Sequence, residues 1–423
     1  MRSQKSSIGP TALMAMFAVI SFIACTHAAA QTEKVLHSFN GSAGAEPLSG
    51  VIFDAAGNLY GTTASGGKNT CGLDFPGCGV VFELTLTSGG GWAERVLHNF
   101  SDTGNDGYLP ASGLVFDAAG NLYGTTVYGG NESCVGLGSG TGCGMVFQLT
   151  PTGESWREKI VHKFNSGMDG YNPTAAVILD TAGNLYGTTS TGGAHNVGMA
   201  FELTPAANGN WKETILHTFN SVGKNGDGPD SALSLDAAGN LYGTAANGGN
   251  GGLGTAFELK PPTGAGWTEN ELYSFTSDNG VGGYPIGGMI FDGSGNLYGT
   301  TAVGGSVGFY GTVFELTPKA GGGWTESVVF AFDTLSPVGL TFDAAGNLYG
   351  TLPRAGTFSQ GLIFELTRTS GGGWSERGLY SFTGTGDGGY PNPGLVLDAA
   401  GNLYGTTQTG GAHGDGTVFE IIP

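Results

Sequence analysis

The sequence predicts an all-β protein: a seven-bladed β-propeller of four-stranded antiparallel blades, closed by an N-terminal strand that completes the last blade. Three observations predict it. The Tyr of N-L-Y-G-T recurs at 60, 123, 186, 242, 298, 349 and 404, in steps of 63, 63, 56, 56, 51 and 55 residues, a period suited to one propeller blade. Each unit holds short runs rich in strand-forming residues, bounded by turn residues and without a helical period. The last unit lacks its fourth run, and a spare copy of that run stands near the other end of the chain.

Residues 1–30 come first. Arg2 and Lys5 precede an apolar stretch over 12–25, and Ala28, Ala29 and Ala30 supply a small-residue exit. This is the pattern of a secretory signal peptide, so a secreted or periplasmic location is expected, with a mature chain of 31–423. The stretch is too short to span a bilayer, and no later segment reaches about 18 apolar residues. The alternative, a lipid anchor on Cys25, is disfavoured because Phe22 fits a lipoprotein cleavage box poorly.

The repeating unit follows. In the second copy, "SGLVFD" (112–117) leads through A-A-G-N to "LYGTT", a glycine-rich loop, "MVFQLT" (145–150), a short turn and "WREKIVHKF" (156–164). D-x-x-G-N suits a type I turn, with Asp at its first position and Gly where side chains resist the conformation. Asp54, Asp117, Asp180, Asp236, Asp292, Asp343 and Asp398 are therefore expected to accept hydrogen bonds from their own turns; seven calcium-ligating aspartates are the alternative. Six units carry W-x-E in the outer run, from Trp92–Glu94 to Trp374–Glu376, whereas the seventh stops at "TVFEIIP". "QTEKVLHSF" (31–39) aligns with "WAERVLHNF" (92–100), so the ring closes by one displaced strand and leaves no open edge. The expected single domain is 31–423, with blades over 47–100, 110–164, 173–219, 229–275, 285–332, 337–382 and 391–423, and 31–39 as the outer strand of the seventh.

These units, G-L-x-F-D-A-A-G-N-L-Y-G-T-T-x-x-G-G, then G-x-V-F-E-L-T-P, then G-G-G-W-T-E, resemble the Gloeo/Verruco tandem-repeat family of bacterial exported proteins. The resemblance covers nearly all of 31–423. It implies export and a repeat architecture, and brings no chemistry with it. Family members carry differing C-terminal anchors; a chain ending at its last blade points to release.

Charge narrows the partners. The formal charge is −19, and loss of residues 1–30, which hold Arg2 and Lys5 but no acid, moves it to −21. Such a field repels phosphate backbones, so no nucleic-acid partner is expected, nor an anionic membrane surface. A monomer is expected.

Four cysteines follow the leader. The Tyr-to-Phe span across the loop after N-L-Y-G-T is 15 or 16 residues in the last five units but 22 in the first and 24 in the second. The extra length and the cysteines arrive together, which predicts disulfides Cys71–Cys78 and Cys134–Cys143 in an oxidising compartment. A four-thiolate metal site is the rival, without any C-x-x-C to support it.

Histidines 37, 98, 162 and 217 share one position in the outer run, filled elsewhere by Tyr273, Phe330 and Tyr380. One ring per blade implies an aromatic packing position. His195 and His413 read as loop decoration.

Function is expected on the face that bears the longer loops, because a rigid scaffold tolerates variable loops. Twelve acids fall in those loops: Glu46, Asp74, Asp102, Asp106, Glu132, Asp169, Asp227, Asp230, Asp278, Asp333, Asp387 and Asp415, opposed by Lys68, Lys224 and Arg354. The face is expected to be acidic and to bind a glycan or a protein. Candidate ligand-binding residues are Asp102, Asp106, Tyr108, Asp169, Tyr171, Asp227, Tyr284, Asp387, Tyr390 and Arg354, the tyrosines stacking on sugar rings. No cofactor is expected; Ca²⁺ on Asp106, Asp169 or Asp387 is a weak alternative, since no loop has EF-hand order. No catalytic residue is expected, because chemistry needs residues that break the repeat and few do. The alternatives are a polysaccharide hydrolase or lyase using loop carboxylates such as Asp106 and Asp169, and a structural component of the cell surface or matrix.

Overall fold

The structure is a computed structural model that describes residues 31–423 apart from 73–75, 104–105, 132, 135–140, 224, 265, 277–279, 281, 306–309 and 334. Residues 1–30, the expected leader with Cys25, and Asp74, Glu132, Lys224 and Asp278, lie outside the described residues.

Seven antiparallel sheets follow one another along the chain, six of four strands and the last with a short fifth strand, Gly389–Pro391, paired to its B strand. We letter the strands of each blade A to D from the axis outward. Blade 1 is A, Ile52–Phe53; B, Leu59–Thr63; C, Val80–Leu86; and D, Trp92–Asn99. Blade 7 takes A, Val396–Leu397; B, Leu403–Thr409; and C, Thr417–Ile422 from the end of the chain, and its D strand is Thr32–Ser38. The closing ladder runs Thr32↔Ile422, Glu33↔Ile421, Lys34↔Glu420 and Val35↔Phe419. The displaced strand is therefore the clasp of the ring.

The D-x-x-G-N turn is built as its residue types require. In blade 1, Gly57 N–H donates to the Asp54 carbonyl at 3.2 Å, and Asp54 N–H to the Asn58 carbonyl at 3.0 Å. Gly57 has φ +85°, a conformation that side chains resist. The Asp54 carboxylate accepts from Ala56 N–H at 2.8 Å, Asn58 N–H at 2.9 Å and Asn58 Nδ2 at 2.8 Å. All seven turn aspartates take these three bonds. Burial alone would raise the Asp54 carboxyl, but the donors from Asn58, Tyr60 and Ala56 hold it below its ordinary value.

The core lies between blades rather than within them. Each of seven apolar clusters mixes two neighbours; one joins Leu36, Phe39, Tyr404 and Val418 of blade 7 to Val51, Leu59, Phe82 and Leu84 of blade 1. Aromatic contacts repeat the rule: Tyr60 of blade 1 meets Phe116 and Trp156 of blade 2 edge-on, at 5.0 and 6.1 Å. Such edge-to-face pairs contribute about 0.5–1.5 kcal/mol each beyond area burial. The Gly of L-Y-G-T is needed here, since a Cβ on Gly61 would stand 2.6 Å from Phe82 Cζ.

Residues 31–423 form one compact unit. No helix among the described residues is long and apolar enough to cross a membrane.

Candidate functional site

Three places hold polar groups that could act: the axis, the loop face and the seams between blades. The axis is lined by the A strands and the residues before them, among them Ser49, Gly50, Ser112, Gly113, Ser231 and Gly288, around a cavity of about 420 Å³. Close approach narrows it: a Cβ on Gly50 would lie 1.8 Å from the Gly394 carbonyl oxygen. The belt around it is tied blade to blade, with Thr62 Oγ1 donating to the Ser112 carbonyl at 2.9 Å and Thr406 Oγ1 to the Ser49 carbonyl at 2.7 Å. Asp230 is the one titratable residue in this lining.

The loop face is more ordered than its glycine content suggests. After several D strands the chain pairs with the loop that follows strand B of the next blade, as in Gly107↔Gly129, Tyr171↔Thr191 and Gly226↔Gly248. Cys71–Cys78 and Cys134–Cys143 are disulfides, each within one long loop. The four loop tyrosines separate into two kinds. Tyr108 and Tyr171 are buried, their hydroxyls bonded to Thr141 N–H at 2.7 Å and Asn196 Oδ1 at 3.1 Å. Tyr284 is 38% exposed and Tyr390 half-buried, both in the left-handed region at φ +52° and +56°. Arg354 is exposed.

The loop acids are mostly engaged locally. Asp102 accepts from Gly72 N–H at 3.0 Å, and Asp227 sits in a two-residue strand paired with Asn247. Asp387 accepts from Thr383 N–H at 2.8 Å, from Thr383 Oγ1 and from Tyr380 O–H at 3.0 Å. Asp106 accepts from Gly107 N–H at 2.7 Å, and Asp169 from Asn165 N–H at 2.7 Å and Asn165 Nδ2 at 2.9 Å. Asp106 and Asp169 belong to successive seams, and each faces its own partners there.

Those partners were not singled out from the sequence. In every blade a bulge interrupts the C–D ladder, so that in blade 1 Val81 pairs with His98 and Phe82 with Val96. A bulge re-aims the side chains beside it. The shared ring position packs as expected: His98 meets Phe100 edge-on at 4.7 Å, and Tyr380 meets Phe382 at 5.1 Å. The histidines also stay apart from one another. Each of the first three nevertheless faces the W-x-E glutamate of the next blade: His37 Nε2 lies 3.4 Å from Glu94, His98 Nε2 3.8 Å from Glu158, and His162 Nε2 3.7 Å from Glu213. At two seams a loop aspartate joins them, Asp106 at 3.3 Å from His98 Nε2 and Asp169 at 3.2 Å from His162 Nε2.

The seam glutamates are held toward their neutral form. Burial pushes Glu94 and Glu326 up to about 7 and, with the nearby charge of Asp387, Glu33 to about 7 as well. Burial alone would lower the His98 imidazole, but its bond to Asp106 and the charges of Glu158 and Asp106 raise it. In the Asp169–Glu213 pair burial and the neighbouring carboxylate drive Glu213 up, while bonds from His162 and Asn165 keep Asp169 low. One signal was available beforehand: His and Glu share one outer strand in four units, four residues apart, so adjacent D strands bring His of one blade beside Glu of the next.

The fold and seams define a closed repeat propeller with largely buried histidine and glutamate side chains meeting between its blades. The Gloeobacter/Verrucomicrobia repeat matches residues 134–336, and a unit of the same pattern recurs in all seven blades. No curated protein matches the chain. Among solved structures, a putative oxidoreductase (glucose dehydrogenase) from Thermus thermophilus is similar at 14% identity and a TM-score of 0.43, covering 93% of this chain and 100% of its own. A gluconolactonase from Xanthomonas campestris is similar at 13% identity and a TM-score of 0.40, over 72% of this chain and 82% of its own.

Proposed function

We propose that the protein is an exported, non-catalytic propeller that binds a glycan or protein ligand through its acidic loop face, centred on blades 5 and 6. One observation carries this reading. Among the described residues, the exposed tyrosine and phenylalanine side chains, Tyr284 (38%), Tyr310 (40%) and Phe358 (56%), all belong to these two neighbouring blades on the loop side, with Leu335 (37%) among them, whereas the exposed Met168 and Val222 on other loops of that face are aliphatic. Exposed aromatics beside an arginine, here Arg354, form a surface suited to stacking on sugar rings or anchoring a protein partner. Export agrees with the leader and with two disulfides, which persist in oxidising compartments.

The test is a thermal-shift screen of oligosaccharides and polysaccharides, because a ligand that binds only the folded form raises Tm. A ligand that stabilises the wild type and fails with Tyr284→Ala, Arg354→Ala or Phe358→Ala supports the reading. A ligand lost only in Asp102→Ala would move the site to blade 1, turnover of a polysaccharide would replace binding by hydrolysis, and flat responses throughout would leave a structural component.

A further inference from the structure

We propose that the seams between blades 1 and 2 and between blades 2 and 3 are two divalent transition-metal sites, His98–Asp106–Glu158 and His162–Asp169–Glu213, with Zn²⁺ the ion whose chemistry fits best. The argument starts from distances. In each triad one imidazole nitrogen and two carboxylate oxygens lie within 4.8 Å of one another. The imidazole-to-carboxylate edges are 3.3 and 3.8 Å at the first site and 3.2 and 3.7 Å at the second. A tetrahedral zinc with bonds of about 2.0–2.2 Å needs edges of roughly 3.3–3.6 Å. The donors thus stand at coordination spacing.

A second observation is independent of this spacing. Glu158 Oε1 and Glu213 Oε1 are buried and accept no hydrogen bond, as is also true of Glu33, Glu94, Glu269 and Glu326 at other seams; what sets these two apart is the second carboxylate beside each. The carboxyls of Glu158 and Asp106, and of Glu213 and Asp169, are close enough to bond to one another. Two acceptor oxygens in contact need a proton or a cation between them. Two carboxylates and one imidazole carry a net negative charge in any state that leaves both acids ionised, and the side chains are only 17–19% exposed. A divalent ion satisfies all three groups at once, and imidazole favours a transition metal over Ca²⁺.

The other seams act as internal comparisons. Between blades 3 and 4, Asn225 takes the aspartate place beside His217, with Oδ1 at 3.4 Å and Nδ2 at 3.2 Å from Nε2. The amide supplies its own donor to the imidazole and removes one carboxylate from that seam, although Glu269 Oε1 there is also buried and unpartnered. Between blades 7 and 1, His37 and Glu94 meet without a loop acid; Ala43 precedes Gly44 where Asp106 precedes Gly107, both glycines packing on a threonine hydroxyl. Between blades 6 and 7, Tyr380 replaces the imidazole and donates to Asp387. Among the described residues, the two triads are the only groups of this kind built from histidine and carboxylates.

The experiment uses the full chain, stripped with chelator and dialysed at a pH of about 7.5, where a metal-binding imidazole is neutral, with bound metal measured after addition of Zn²⁺ and Tm followed in parallel. The wild type is expected to retain two equivalents of Zn²⁺ and to melt higher with zinc than without it. His98→Ala and His162→Ala should each retain one, and the double variant none. Asp106→Asn with Asp169→Asn reproduces the chemistry of the blade 3–4 seam; it should fold as the wild type does and lose roughly tenfold or more in zinc affinity. His217→Ala should leave the stoichiometry at two. The proposal is overturned if the wild type retains no zinc, if the double-asparagine variant binds as tightly as the wild type, or if Ca²⁺ and Mg²⁺ match Zn²⁺.

Discussion

Val35 lies opposite Phe419, the pair that joins the first described strand to the last and turns an array of seven units into a ring. Leu36 and Phe39 follow it into the apolar cluster shared by blades 7 and 1. A chain lacking residues 31–39 would leave strand Thr417–Ile422 as an open edge, which invites pairing with another chain. We expect it to melt roughly 10 °C lower or more and to associate with rising concentration, and a synthetic peptide of residues 31–39 to reverse both. Calorimetry and sedimentation would show it; an unchanged melt from a monomeric truncated chain would refute ring closure as the source of stability.

Two glycines in one hairpin separate conformational from steric cost. At Gly57, φ is +85° and nothing lies within 4 Å of a Cβ, whereas at Gly61 the Cβ would meet the Phe82 ring at 2.6 Å. Gly57→Ala should cost about 1–2 kcal/mol for the left-handed conformation alone. Gly61→Ala forces a ring or strand to shift and should cost about 3 kcal/mol, the upper part of the overpacking range. Denaturant titration of both variants checks the order, and an equal cost would contradict it.

The seam glutamates predict an acid-side stability optimum. Glu33, Glu94 and Glu326 rise from 4.5 to about 7 and Glu269 to about 6, chiefly through burial. A group whose folded value is raised binds its proton more tightly when folded. Its contribution is fully present below 4.5 and is lost as pH rises from there through about 7. His37, lowered by burial to about 4, opposes this with the reverse sign, losing stability as pH falls below 6.5. Asp54, Asp117, Asp180, Asp236 and Asp343, held low by their turn donors, matter only below 3.8. With several glutamates against two lowered histidines, His37 and His217, Tm should be higher at about pH 5 than at about pH 8 by roughly 3 °C or more. A melt that rises steadily across that interval would count against neutral seam carboxyls.

The two loop disulfides should stabilise modestly. Cys71 and Cys78 are separated by 7 residues, and closing so short a loop contributes about 2–3 kcal/mol in the chain-entropy account. Cys71→Ser with Cys78→Ser should therefore lower stability by that amount while far-UV circular dichroism stays unchanged. Loss of the fold would mean that the bridge is needed for more than its own loop.

Much of this architecture was legible because its causes are local. An Asp–Gly–Asn turn closes on its own carboxylate, a Tyr-Gly-Thr run forms a strand from its residue types, and a missing outer run reveals its replacement by alignment. The fate of Tyr108 and Tyr284 was not legible. Both stand in similar loops, yet Tyr108 is 4% exposed and Tyr284 38%, because burial depends on which neighbouring loop lies over each ring.

The sequence by itself determined the blade count, the turn chemistry, the strand that closes the ring and the cysteine pairing, since each follows from short-range spacing or from comparing one unit with the next. Tertiary structure alone decided which side chains meet across a seam. His98 and Glu158 are brought together by the packing of two separate sheets, through a bulge and a shared apolar core. No periodicity along one strand encodes that encounter, because it depends on the angle and depth at which neighbouring blades pack.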